Sequence, residues 1–329
     1  MTVPSDSTSF TAPSVDPREP EADLARSGLL LARFGPAVAG LAGIAPVDLV
    51  AIVADSRAAF GERLAAGTLL ALTGDPRLDP MQPDMVDVPG GRFRMGLEIG
   101  RVDAVTAAWA PLGVERAWIA KEAPAHEVAV APFRLGRHPV TNVEYLAFVV
   151  ARPEAPRPSA WAHGVFPWAQ ANHPVYTVAP EAADAYAAWL AEVTGRRFRL
   201  PTEAEWEFAA TGGDDREFPW GDDWDPERAN TAERGPLCTT PVGIYPAGRS
   251  PFGLDDLAGN VEEYVADDYR PYPGGDAVAD DLVDLHGASY RVARGGSFAR
   301  HGDLARCRRR HGWYHSAHYA MGFRLAESL

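Results

Sequence analysis

The sequence predicts an α+β domain of short strands, a few helices and long loops, preceded by a small helical extension. Three observations carry this. Strand-like alternation and helical periodicity follow one another in short pieces from about residue 85 onward. Beyond Gly212-Gly213 the chain is broken by Gly, Pro and Asp into segments that suit loops and short strands rather than a parallel α/β sheet. Residues 23–73, in contrast, carry helical apolar spacing alone.

At 329 residues and 46% hydrophobic content the chain can bury one large domain, with or without an appendage. A net charge of -14 argues against a nucleic-acid partner, because tracking phosphates requires clustered Lys and Arg. Cys238 and Cys307 are the only cysteines, too few for a disulfide framework, so a reducing compartment is expected. The N-terminus has no basic stretch feeding an apolar one, and no apolar run reaches the roughly 20 residues of a membrane span. A soluble, cytoplasmic protein is therefore the expectation.

In chain order, residues 1–22 read as a disordered tail, too poor in large apolar groups to offset ordering entropy. Residues 23–84 read as a helical extension and linker. Leu24, Leu29, Leu30 and Leu31 precede Gly35-Pro36, and Pro46 opens an alanine-rich helical stretch reaching Leu72. This extension lacks His and Cys, so it cannot house a nitrogen- or thiolate-based metal site, and a packing or dimerising role is expected.

Residues 85–329 form the main domain. Val88–Gly96 is a turn feeding a strand, Ala125–Gly136 alternates as a strand, and Thr141-Asn142 caps a helix through Phe148. Pro180–Thr194 places Ala183, Tyr186, Ala187 and Leu190 on one face and closes at Gly195. The stretch Phe198–Gly221 is the densest in unusual choices: Pro201-Thr202-Glu203 caps a short amphipathic helix, and Gly212-Gly213 ends it.

Several ordered motifs together resemble the sulfatase-modifying factor or formylglycine-generating enzyme superfamily over roughly residues 85–326. They are Pro89–Gly96, Pro139–Asn142, Asn172–Val175, Arg199–Glu207, Phe218–Gly221, Gly259–Val261, Arg294–Phe298 and Gly322–Arg324. The resemblance implies a C-type-lectin-like α+β fold of low regular secondary structure, with a surface groove near Arg294-Gly295-Gly296-Ser297. It also includes the nonheme iron enzymes of ergothioneine biosynthesis, whose iron is held by histidines of a separate N-terminal helical domain. The His-free helices here exclude that arrangement within one chain.

In formylglycine-generating enzymes a copper(I) ion sits between two cysteines. The matching positions here are Arg300 and Ala305, neither of which offers a ligand atom, so the thiolate site is absent. Cys307 reads as a small buried residue. In place of the thiols stands a polar, aromatic cluster from Arg300 to Tyr319 that holds four of the nine histidines. The candidate catalytic pocket is Ser297, Arg300, His301, Asp303, His311, Trp313, Tyr314 and His315. His311, His315 and His318, with a carboxylate such as Asp303, are the candidate ligands for iron(II) or copper. The density of Arg suggests a pocket for a carboxylate, phosphate or sulfate.

By resemblance a structural calcium site would take side chains of Asp256 and Glu263 and carbonyls of Gly259 and Val261. The family's other calcium site keeps Asn230 and Thr231, but Arg234 stands at its carboxylate position. Glu203, Glu205 and Glu207 read as helix charges or buried partners of Arg196, Arg197 and Arg199 rather than as general acids or bases. The expected function is a metal-dependent oxidoreductase acting on a small molecule or peptide with an anionic group, and not a cysteine-based sulfatase activator. The alternative is a non-catalytic, calcium-stabilised, lectin-like binding module for an anionic or peptide ligand.

Overall fold

The computed structural model describes residues 34–287, 289–313 and 319–329. Pro46 starts the helix Pro46–Ala54, and a second helix, Phe60–Thr73, follows it. Leu49, Val53, Ala66 and Leu70 pack between the two and against Ile244 and Tyr245 of a distant loop. The tail expected at residues 1–22 lies outside the described residues.

The main domain is built on three small sheets. In the largest, Met85–Val88, Phe133–Gly136, Ala326–Ser328 and Phe198–Arg199 lie side by side in that order, antiparallel throughout, so the C-terminal strand is held between Phe133–Gly136 and Phe198–Arg199. Gly91–Met95 and His126–Val130 form a two-stranded antiparallel ribbon. The third sheet has Glu262–Asp268 at its centre, paired antiparallel with Arg291–Arg294 and parallel with Met321–Phe323. Short strands joined by long loops are the α+β architecture that the punctuation of the sequence predicts.

Helix Asn142–Ala151 is capped by Glu144, whose carboxylate accepts from the Thr141 N–H and hydroxyl. Helix Pro180–Thr194 buries Ala183, Tyr186, Ala187 and Leu190, the face its spacing predicts, and ends on Gly195 at φ 70°. Tyr145, Phe148, Tyr186, Trp189 and Phe323 interlock in the core beneath it.

Helix Glu203–Thr211 departs from expectation. Thr202 and Glu205 form the reciprocal cap, but the helix is not amphipathic: every residue except Ala204 is buried. Its three glutamates are therefore anions inside the protein, and buried anions must be paired. That requirement accounts for Arg294 and Arg310, which face Glu203 and Glu207.

Candidate functional site

Glu203 takes Arg310 in a two-point pair at 2.7 and 3.0 Å and also faces Arg294 at 3.1 Å. Burial alone would raise the Glu203 carboxyl, but Arg294 and Arg310 hold it below its ordinary value. Glu207 pairs with Arg294 at 2.8 Å. Only Glu205 finds its partner in the nearby run, with two contacts of 2.7 Å to Arg199.

The same logic consumes the other arginines of the tail. Arg306 makes a two-point pair with Glu122 at 2.9 and 2.8 Å and a further contact with Glu217. Arg308 reaches Asp215 and Glu217, and Arg309 donates to the carbonyls of Trp118 and Arg310. All are buried. The reading of the Arg-rich tail as an anion pocket is thus corrected for Arg306, Arg308 and Arg310, whose charges are paired with carboxylates within the fold.

Arg300 is different. The strand Arg291–Arg294 ends in Gly295 and Gly296 at φ 93° and 67°, and a Cβ on Gly296 would meet the Leu304 and Ala305 backbones at 2.9 and 3.0 Å. This turn delivers Arg300 to one end of the third sheet. His311 arrives there by bridging Ala293, the central strand supplies Glu262, and Tyr319 enters just before Met321–Phe323. His311 Nδ1 and Glu262 Oε2 are 2.5 Å apart, and the Tyr319 hydroxyl lies 3.5 Å from the same nitrogen. Arg300 donates to the Tyr319 hydroxyl, sits 4.8 Å from its ring centre and approaches Glu262 Oε1 at 3.8 Å.

Burial pulls the His311 imidazole below its ordinary pKa and Glu262 only partly offsets this. A neutral ring donating Nδ1–H to the carboxylate leaves the lone pair on Nε2, the tautomer of a proton acceptor. Glu262 was missed by sequence reasoning. Its signal is a pair of adjacent glutamates in an otherwise apolar strand, Val261-Glu262-Glu263-Tyr264-Val265, which puts one acid on each face.

Of the remaining candidates, His301 stands 3.6 Å from Glu233, which also accepts from the Gly302 N–H at 2.7 Å. The neighbouring Glu233 carboxylate raises the His301 pKa. Asp303 is buried and lies 3.7 Å from Arg309, away from the histidines' pairings. Ser297 is buried in the turn, its carbonyl accepting the Arg300 N–H at 3.0 Å. Trp313 packs against the core that contains Tyr145, Tyr186 and Phe323, and its carbonyl oxygen accepts from His286 Nε2. Tyr314, His315 and His318 lie outside the described residues. Among the described residues no three His, Cys, Asp or Glu side chains converge in a metal-binding group.

Ala305, at the second thiol position, is packed with Ala229, Ala258, Trp220 and Trp224. Cys307 is fully buried and its thiol is pushed up by that burial, whereas Cys238 is exposed; the two are not bonded to each other. Of the proposed calcium ligands, Glu263 spends both oxygens on Arg324, each at 2.6 Å, and one also on the Trp206 indole N–H at 2.8 Å. Asp256 accepts from the Gly243 N–H at 2.7 Å, and burial pushes its carboxyl up to about 7. Glu263, expected as a calcium ligand, is thus the counter-ion of Arg324.

A shallow recess of about 550 Å³ is lined by Arg101, Asp214, Asp215, Arg216, Trp220, Gly221 and Asp222. Trp220 on its rim stacks on Phe218 at 5.3 Å and contacts Trp224 at 5.8 Å.

Short strands, long loops and a buried histidine–carboxylate pair at the place of missing thiols define a formylglycine-generating-enzyme-like α+β domain. Residues 73–329 match the sulfatase-modifying factor enzyme 1-like domain, and the chain belongs to that family. Among its relatives, the inactive C-alpha-formylglycine-generating enzyme 2 of Mus musculus is 33% identical over 323 residues, spanning 82% of this chain and 94% of the mouse protein. The formylglycine-generating enzyme of Streptomyces coelicolor is 32% identical, spanning 77% of this chain and 87% of its own length. Hercynine oxygenase of Mycolicibacterium smegmatis is 32% identical over 64% of this chain, which covers only 53% of that enzyme. The solved structure of PvdO from Pseudomonas aeruginosa superposes with a TM-score of 0.57 at 28% identity, over 76% of this chain and 95% of PvdO.

Proposed function

We propose that this protein is an oxidoreductase acting on a small molecule or peptide, with substrate held against Arg300 and Tyr319 and a proton accepted by His311, positioned by Glu262. The observation that carries the reading is the buried His311–Glu262 pair, 2.5 Å apart, beside the position of the family's first thiol. Relatives named hercynine oxygenase and formylglycine-generating enzyme favour oxidative chemistry. A thiolate-bound copper does not fit Arg300 and Ala305. In this reading Arg300 and Tyr319 bind the substrate, and His311 with Glu262 moves the proton.

The test is metal analysis of purified and reconstituted protein, together with oxygen uptake on a panel of thiol compounds and cysteine peptides. Retained iron or copper with substrate-dependent uptake, lost in His311→Ala, is the expected result. The second reading, a binding module without catalysis, is favoured by Ala305 in its apolar cluster. Ligand-dependent stabilisation with neither redox metal nor oxygen uptake would select it. Conversion of a cysteine peptide to its aldehyde would instead restore sulfatase activation.

A further inference from the structure

We infer that the helix Phe60–Thr73 is a positioning element of the Arg300 site, acting through Gly67 and Asn172 on the turn that carries Ser297–Arg300. The inference rests on reading Arg300 as part of the site.

The helix is stitched to the loop Thr239–Tyr245 at several points. The Asn172 side-chain amide donates to the Gly67 carbonyl and to Asp75, both at 2.9 Å. The Asn172 carbonyl accepts the Val242 N–H at 3.0 Å. Arg77 donates to the Val242 carbonyl at 3.0 Å and Arg63 to that of Ile244 at 2.8 Å. Gly67 is a helix-interior glycine, costing about 1 kcal/mol relative to alanine. Close approach explains it: a Cβ there would lie 2.7 Å from both Cβ and Cγ of Pro241.

From this loop the contacts continue inward. The Thr240 N–H donates to Asn260 Oδ1 at 3.0 Å and the Asn260 amide returns to the Thr240 carbonyl at 3.2 Å. This two-point clamp holds Asn260 in a left-handed conformation, φ 65°. Held so, its N–H reaches the Asn230 carbonyl at 2.9 Å and its carbonyl accepts the Phe298 N–H at 3.1 Å. Phe298 is two residues from Arg300, whose own carbonyl accepts the Ala232 N–H at 2.9 Å. Asn172, Val242, Thr240 and Asn260 are buried, so these bonds cannot be exchanged for water.

Hydrogen exchange on the full chain, comparing wild type with Gly67→Ala and with Asn172→Ala, reads it directly. The expected result is exchange about tenfold faster in peptides covering residues 258–262 and 297–302, with the ribbon Gly91–Met95/His126–Val130 unchanged. Acceleration confined to residues 46–77 and 238–245, or none at all, would overturn the inference. Asn172→Ala leaves the helix interior intact and decides the matter if Gly67→Ala does not fold. The readout needs no substrate, so coupling found in a protein without oxygen uptake would uphold the relay while refuting the oxidoreductase reading.

Discussion

Arg324 and Glu263 face each other inside the domain with Nε–Oε2 and Nη2–Oε1 both at 2.6 Å, and neither side chain reaches solvent. Arg324 also donates to the carbonyls of Gly136 and Asp255, at 2.9 and 3.0 Å, tying the four-stranded sheet to the loop before the central strand. Removing one partner leaves a buried, uncompensated charge. Glu263→Gln is expected to cost about 3–5 kcal/mol, read as a shift in urea midpoint. A double apolar replacement of the pair should not recover the loss, because the carbonyls that Arg324 serves would be orphaned.

The same pairing bears on calcium. With both Glu263 oxygens committed and the Asp256 carboxyl raised to about 7 by burial, millimolar calcium or its chelation should leave the melting temperature within about 1 °C. A calcium-dependent rise of several degrees, abolished by Asp256→Asn, would instead assign these residues to a cation site.

His173 supplies a pH dependence of known sign. It is buried with Nδ1 3.0 Å from the Thr239 hydroxyl, and burial lowers its pKa to about 3. The unfolded chain, titrating near an ordinary 6.5, binds the proton more readily, so stability is lost as pH falls below about 6.5 toward 3. Between pH 6.5 and 5 the loss attributable to this group is about 2 kcal/mol. His173→Gln should flatten that part of the profile; urea titrations with equal pH slopes in the two proteins would exclude His173 as the cause.

His301 goes the other way. The Glu233 carboxylate beside it raises its pKa, so Glu233→Gln should lower the midpoint seen in an NMR titration of its ring protons. An unchanged midpoint would mean that another group holds the proton.

Within the candidate site, His311 and Glu262 should behave as a unit. Glu262→Gln keeps the shape but removes the charge that orients the imidazole, and a fall of 10²–10⁴-fold in turnover is expected, with substrate affinity changed far less. His311→Ala should cost about as much, and the double variant little more. Independent, additive losses measured in kcat would separate the two residues.

What the sequence determined by itself is the scaffold. Leu200-Pro201-Thr202-Glu203-Ala204-Glu205-Trp206-Glu207, the Gly-Gly turn and the C-terminal Gly322-Phe323-Arg324 are local signals of caps, tight turns and strand ends, and each appears where its chemistry places it. The missing thiols at Arg300 and Ala305 are equally legible, because ligand chemistry belongs to the residue type. Only the tertiary structure decided what the charges do. Whether an arginine receives a ligand or a neighbour depends on which carboxylate the fold brings to it, and Glu122 lies 184 residues from Arg306 in the chain. Burial of the helix Glu203–Thr211 turned its acids into obligatory anions that take Arg199, Arg294 and Arg310, while Glu122, Asp215 and Glu217 take Arg306 and Arg308, leaving Arg300 beside Glu262 and His311. No local pattern encodes that, since the partners meet only when three strands from separate parts of the chain assemble.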